Sequence, residues 1–83
     1  MTRDEARAKV MAIIKPWTKN PAALETASDA TSILADLKVN SARLVDIILG
    51  LEDEFGIEID DDSADKVETI GDAVDLVERL AAS

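Results

Sequence analysis

The 83-residue chain sets nine Lys and Arg against eighteen Asp and Glu, a formal charge of −9, and contains neither His nor Cys. Without Cys there is no disulfide, no zinc–thiolate site and no thiol nucleophile; without His the usual general base near neutral pH is missing, so an enzyme is not expected. A hydrophobic content of 47%, with Trp17 and Phe55 the only aromatics, argues for one small folded domain over residues 1–83 with an aliphatic core.

The charge is uneven. Residues 1–28 carry five basic and three acidic side chains, a balance of +2, whereas residues 29–83 carry four basic and fifteen acidic, a balance of −11. Nucleic acid is a poor partner for such a chain, because phosphate binding needs clustered Lys and Arg. A basic protein surface is the natural complement. No apolar run approaches the ~20 residues of a membrane span, and the N-terminus lacks the apolar stretch of a secretory signal. A cytoplasmic monomer is the expectation.

In chain order, Thr2 and Glu5 have capping-box spacing, and Ala6, Val10, Ile13 and Ile14 recur at helical intervals. Pro16 predicts an end to this first helix near Lys15. A long loop follows to Ser32, in which Asn20-Pro21 can open one helical turn over Ala22 to Thr26. A connection of this length in so small a domain implies that it wraps or serves a purpose. The second helix, residues 41–55, holds seven large apolar residues and is closed by Gly56. Ile57-Glu58-Ile59 alternates too briefly for a strand and reads as a loop plugged into the core. Asp60 to Asp65 is a polar loop running into a short helical turn that ends near Val67. Thr69 with Asp72 starts a final helix whose stripe is Val74, Val77 and Leu80. The predicted fold is all-α: a small bundle of three main helices and one short helix, with a long loop between the first two main helices.

On a helical wheel Leu44, Ile47, Ile48, Leu51 and Phe55 form the core stripe of the second helix. Val45 and Leu49 fall on a flank. The row Ala42, Asp46, Leu49, Asp53 runs beside Ser41, Val45, Glu52. Two readings follow from the pattern: Val45 and Leu49 touch a neighbouring helix, or they belong to a docking strip on which acids steer a basic partner. Ser41 divides similarly. A Ser at a helix start serves as an N-cap. As a nucleophile it fails for want of a His. As a hydroxyl modified by another enzyme it would place a phosphate at the positive helix end, near unpaired N–H groups. Asp60, Asp61, Asp62 and Asp65 fail the EF-hand pattern, with Asp65 where Gly is required and Gly71 in place of the bidentate Glu, so no metal site is predicted.

The run from Asp36 through Asn40-Ser41-Ala42-Arg43-Leu44 to Asp46 resembles the Leu-Gly-x-Asp-Ser-Leu region of acyl carrier proteins. Leu51-Glu52-Asp53-Glu54-Phe55-Gly56-Ile57-Glu58-Ile59 is similar to that family's Leu-Glu-Glu-Glu-Phe-Gly-Ile-Glu-Ile. Thr69-Ile70-Gly71-Asp72 resembles its Thr-Val-Gly-Asp stretch. The match runs without a gap from about Ser32 to Leu80. The resemblance implies a carrier on which a phosphopantetheinyl transferase moves 4′-phosphopantetheine from coenzyme A onto Ser41, and whose arm holds acyl groups as thioesters. It also implies that the acidic second helix docks on basic patches of acyltransferase and synthase enzymes of fatty-acid, lipid or related secondary-metabolite biosynthesis. The residues this assigns to partners are Asn40, Ala42, Arg43, Val45, Asp46, Leu49, Glu52 and Asp53. Five positions depart from the family pattern: Lys38 replaces Gly, Asn40 replaces Asp, Ala42 replaces Leu, Arg43 replaces an acid, and Asp60 replaces Pro. Four of these surround Ser41, so a specialised carrier with a dedicated pathway is expected. The alternatives are an aminoacyl or peptidyl carrier, and an unmodified acidic interaction module in which Ser41 is only a cap.

Overall fold

A computed structural model describes residues 2–81. The first helix, α1 (Arg3–Ile14), begins with the predicted capping box: the Thr2 hydroxyl accepts from the Glu5 N–H at 3.2 Å, and the Glu5 carboxylate accepts from the Thr2 N–H at 3.3 Å. The bond from the Thr2 backbone holds the Glu5 carboxyl below its ordinary range. Ala6, Val10 and Ile14 are buried along one side of α1. Pro16 ends the α-helix without reversing the chain. It is taken up in one 3-10 turn, Lys15–Trp17, that prolongs α1 and carries Trp17 at its end.

The helical turn expected after Asn20 is present as α2 (Pro21–Glu25), with Asn20 accepting from the Ala23 N–H and Pro21 in the first position. Leu24 is its one buried residue. The stretch from Thr26 to Asn40 has no regular helix, yet its backbone is well paired. Ile33 donates to the Glu68 carbonyl at 3.0 Å, Ile70 donates to the Thr31 carbonyl at 3.0 Å, and Gly71 donates to the Asp29 carbonyl at 2.9 Å. Ser32 and Thr69 thereby form an isolated antiparallel bridge. Ile33, Leu37 and Val39 are buried in the same stretch. The long connection is therefore a strap over the start of the last helix, and it contributes three aliphatic side chains to the core.

The predicted second helix is divided. Ser41–Arg43 forms a 3-10 turn, and α3 (Leu44–Phe55) follows. Gly56 closes α3 with φ at 62°, a left-handed conformation that glycine adopts without a Cβ penalty. Ile47, Ile48 and Leu51 are buried; Leu44 and Phe55 pack at the core margin. Ile59 is buried, as expected of a loop plugged into the core, whereas Ile57 is only half-buried. Asp60 caps α4 (Asp61–Asp65) by accepting from the Ser63 N–H at 2.7 Å, which lowers the Asp60 carboxyl pKa. Thr69 and Asp72 cap α5 (Ile70–Ala81) reciprocally: Thr69 Oγ1 accepts from the Asp72 N–H, and Asp72 Oδ2 accepts from the Thr69 N–H, both at 3.1 Å.

The architecture is all-α with three main helices, α1, α3 and α5, of 12 residues each. It carries two short helices, α2 and α4, rather than the one expected. Asn20 with Pro21 opens one five-residue helix and the Asp60 cap opens the other, at the two places where the sequence reads a single helical turn. The helix α5 is the centre of the bundle, burying Ile70, Ala73, Val74, Leu76 and Val77, with α1 packed most extensively against it. Gly71 lets the strap approach closely, since a Cβ there would stand 2.8 Å from the Asp29 backbone oxygen. No helix among the described residues is long and apolar enough to cross a membrane.

Candidate functional site

Asn40, not Ser41, caps the turn that leads into α3. Its side-chain oxygen accepts from the Ala42 N–H at 2.9 Å, and its carbonyl accepts from the Arg43 N–H at 2.8 Å. The Leu44 N–H in turn donates to the Ser41 carbonyl. Two sequence expectations are corrected here. Ser41 is not the N-cap, because Asn40 lies one residue earlier in an extended conformation that suits a cap. Nor are free N–H groups left for a phosphate at Ala42, Arg43 and Leu44, since the 3-10 turn engages all three. What reaches Ser41 is the field of the 12-residue helix behind it rather than a set of waiting donors. The Ser41 side chain is exposed, and its hydroxyl has no bond to any other described residue.

Beside Ser41 a cleft of about 510 Å³ opens between α3 and α4. Leu44, Val45, Ile48, Leu49, Ile59 and Ala64 give it apolar walls, while Glu52, Asp61 and Asp65 place carboxylates around it. Its length follows from the helix: positions 41, 44, 45, 48, 49 and 52 recur at three- and four-residue intervals and so share one side.

The exposed arc of α3 settles the ambiguity of the wheel. Val45 is 63% exposed and Leu49 56% exposed, so neither is covered by a neighbouring helix. Ala42 and Asp53 are exposed with them. Asp46 is turned toward Arg43, which it pairs with at 3.3 Å. Glu52 accepts from the Ile59 N–H through Oε2 at 2.9 Å, tying α3 to the segment before α4. Asn40, Ala42 and Arg43 flank Ser41 in the turn, Val45, Asp46 and Leu49 follow along α3, and Asp53 lies near the far end of that helix, while Glu52 also lines the cleft.

Comparison with known proteins decides the family. A family model described as the phosphopantetheine attachment site matches residues 8–77. An acyl carrier protein of Sinorhizobium fredii is 41% identical over 58 residues, which span 70% of this chain and 74% of that protein. The chain belongs to the acyl carrier protein family. A chloroplastic acyl carrier protein of Casuarina glauca is 38% identical over 78 residues, 94% of this chain and 56% of that longer one. The solved structure of an acyl carrier protein from Enterococcus faecalis superposes with a TM-score of 0.79 at 39% identity, covering 96% of this chain and 99% of the other. Family membership makes the chain a carrier rather than an enzyme, bearing acyl groups on covalently attached 4′-phosphopantetheine.

The residues around Ser41 fit that group. The site offers a hydroxyl free of competing bonds, room along α3, and apolar walls against which an acyl chain avoids water. It holds no His, the usual general base near neutral pH. Trp17 is the part of this surface that sequence reasoning missed. Its ring lies 5.5 Å from the Arg43 guanidinium, a contact across the end of α1 that no local pattern signals.

Proposed function

We propose that residues 1–83 act as one carrier unit and that Ser41 is the point at which 4′-phosphopantetheine is attached. The observation that supports this most strongly is the exposed, unbonded Ser41 hydroxyl at the end of an apolar-walled cleft. In the modification, Ser41 Oγ bonds to the pantetheine-side phosphorus of coenzyme A as the P–O bond of its pyrophosphate breaks, adenosine 3′,5′-bisphosphate leaves with the bonding pair, and the hydroxyl proton passes to the transferase. The arm then supplies the thiol that a chain without Cys lacks.

Partners are a phosphopantetheinyl transferase and the acyltransferase or synthase enzymes that load and unload the arm. They meet the arc formed by Asn40, Ala42, Arg43, Val45, Asp46, Leu49, Glu52 and Asp53. Val45 and Leu49 give local apolar contact, and the acids give long-range steering toward basic patches. Asn40 keeps the capping bond that an Asp would make but gives up its charge, and Ala42 narrows the apolar contact next to Ser41. These substitutions support a carrier dedicated to its own set of enzymes within acyl metabolism.

Intact-mass analysis after incubation with coenzyme A and a broad-specificity transferase tests the assignment. The wild-type chain is expected to gain one phosphopantetheine, and Ser41→Ala to gain none. Equal gain by Ser41→Ala would reassign the site, and no gain by the wild type, even with a transferase from its own source, would overturn the reading.

A further inference from the structure

Arg43 stands out in a chain of charge −9 as a cation placed two residues from Ser41. It is not a loose surface side chain. Its guanidinium lies 5.5 Å from the Trp17 ring on one side and 3.3 Å from Asp46 Oδ2 on the other, while 58% of the side chain is exposed. Trp17 is itself fixed by the 3-10 turn that prolongs α1 and by packing against the core margin. Two contacts from different elements therefore hold one exposed charge in place, which reduces the ordering cost of binding anything to it. The same geometry diverts Asp46, since its carboxylate faces Arg43 rather than standing as an independent acid. The acidic row on α3 thus has two ends of different character: Asp53 is an exposed acid at one, and a pinned cation with a neutralised acid lies at the other, beside Ser41.

We propose that Trp17 and Arg43 form a cationic selectivity element. It admits partner enzymes whose docking patch sets a carboxylate opposite Arg43 and disfavours those whose patch is basic throughout. Trp17 is a positioning residue in this element and acts through Arg43. The physical basis is that like charges placed in register across an interface are penalised, so a single fixed cation discriminates against a uniformly basic surface. The proposal rests on the docking role assigned to this arc above, and it assigns the partner chemistry that this arc selects.

The test measures binding rather than modification, so that it stands or falls separately from the Ser41 assignment. In a Ser41→Ala background, calorimetry gives the dissociation constant for a broad-specificity phosphopantetheinyl transferase with a basic carrier-binding surface, at low and at high salt. Arg43→Glu is expected to tighten binding roughly tenfold at low salt, with the gain shrinking as salt screens it. Trp17→Leu frees the guanidinium and is expected to tighten binding by about two- to threefold, while Trp17→Phe, which keeps an aromatic face, stays at the parent value. An Arg43→Glu gain that persists unchanged at high salt overturns the electrostatic account. Equal affinities for the parent and Arg43→Glu overturn the proposal, as does the absence of binding by every variant. Identical behaviour of Trp17→Phe and Trp17→Leu removes Trp17 from it.

Discussion

The two ends of the bundle are built on different principles. At the start of α1, Arg3 binds Asp29 at 2.9 Å and Asp75 at 2.7 Å and also contacts Glu78, while Arg7 reaches Asp29 at 2.8 Å. Helix, strap and α5 are joined there by ion pairs that share Arg3 and Asp29, above an interface that buries Ala6, Val10, Val74 and Val77. At the start of α3 the reverse holds. Two large apolar side chains face outward, the cleft is open, and the hydroxyl of one exposed Ser has no bond to another described residue. Exposed apolar residues next to acids are unfavourable for an isolated fold, so their concentration at one end marks surface kept for partners. A small domain can leave one end open in this way because the other is closed.

The contrast is sharpest within a single helix, between Leu51 and Leu49. Leu51 is fully buried in α3 and Leu49 is more than half exposed two residues earlier. Leu51→Ala is expected to lower unfolding stability by about 3 kcal/mol, because the core around a fully buried side chain collapses only partly into the space left. Leu49→Ala is expected to stay within about 0.5 kcal/mol of the parent. Urea denaturation followed by circular dichroism checks both. The same Leu49→Ala chain should be modified more slowly by a transferase, since apolar anchors at an interface matter more than their neighbours. Comparable stability losses for both variants would break the division between a closed and an open side.

The closed end predicts a dependence on pH. The hydrogen bond from Arg3, aided by the charge of Arg7, holds the Asp29 carboxyl below the ordinary aspartate range. A depressed folded-state pKa means that the unfolded chain binds the proton first as pH falls. Its stabilisation is therefore present above the unfolded aspartate pKa and is lost below about pH 4. Arg3 stays charged throughout, its own pKa being raised by the same partners, so the acid limb belongs to the carboxylates. Asp29→Asn, which leaves the backbone carbonyl that accepts from Gly71, should lower the urea midpoint at pH 7. The difference from wild type should narrow progressively as pH falls below about 4. A gap that persists in acid would mean that the ion pairs are not what Asp29 contributes. The effect is expected to be smaller than that of Leu51→Ala, because these pairs are partly exposed to water.

How far these features are legible in the sequence depends on the range of the interactions that make them. The capping residues Thr2, Asn20 and Thr69 and the stop at Gly56 act within a few positions of themselves, so spacing alone reveals them. The length of the strap signals that it wraps, but what it wraps is not legible, because its hydrogen bonds run to Glu68, Ile70 and Gly71, far along the chain. The wheel placed Val45 and Leu49 on a flank but could not say whether another helix lay there; the answer depends on how α1 and α5 pack. Asn40 and Ser41 are both good capping types, and a one-residue choice between them turns on backbone geometry, not composition. The resemblance located Ser41 and the departures around it. It did not show that Trp17 steadies Arg43, since that contact joins elements separated by α2 and the strap.

Lys38 supplies the most local test of the open end. It is the only non-glycine residue among those described with positive φ, at 54°, and it stands where the family pattern has Gly. Its backbone turns the chain between buried Leu37 and buried Val39, just before Asn40 begins the turn that presents Ser41. An L-residue is disfavoured in this conformation because Cβ crowds the following carbonyl, a penalty glycine does not meet. The left-handed turn persists with lysine because Leu37 and Val39 are both held in the core and the Leu37 carbonyl accepts from the Lys19 N–H and the Thr18 hydroxyl. Lys38→Gly is accordingly expected to stabilise the chain by about 0.5 to 1 kcal/mol, the relief of strain exceeding the added freedom of the unfolded state. It should leave the dissociation constant for a transferase within about twofold, because the Lys38 side chain lies outside the arc of α3. Destabilisation by glycine would show that the lysine side chain contributes more than its backbone costs, and would make this departure part of the open surface and not a strain tolerated by the closed core.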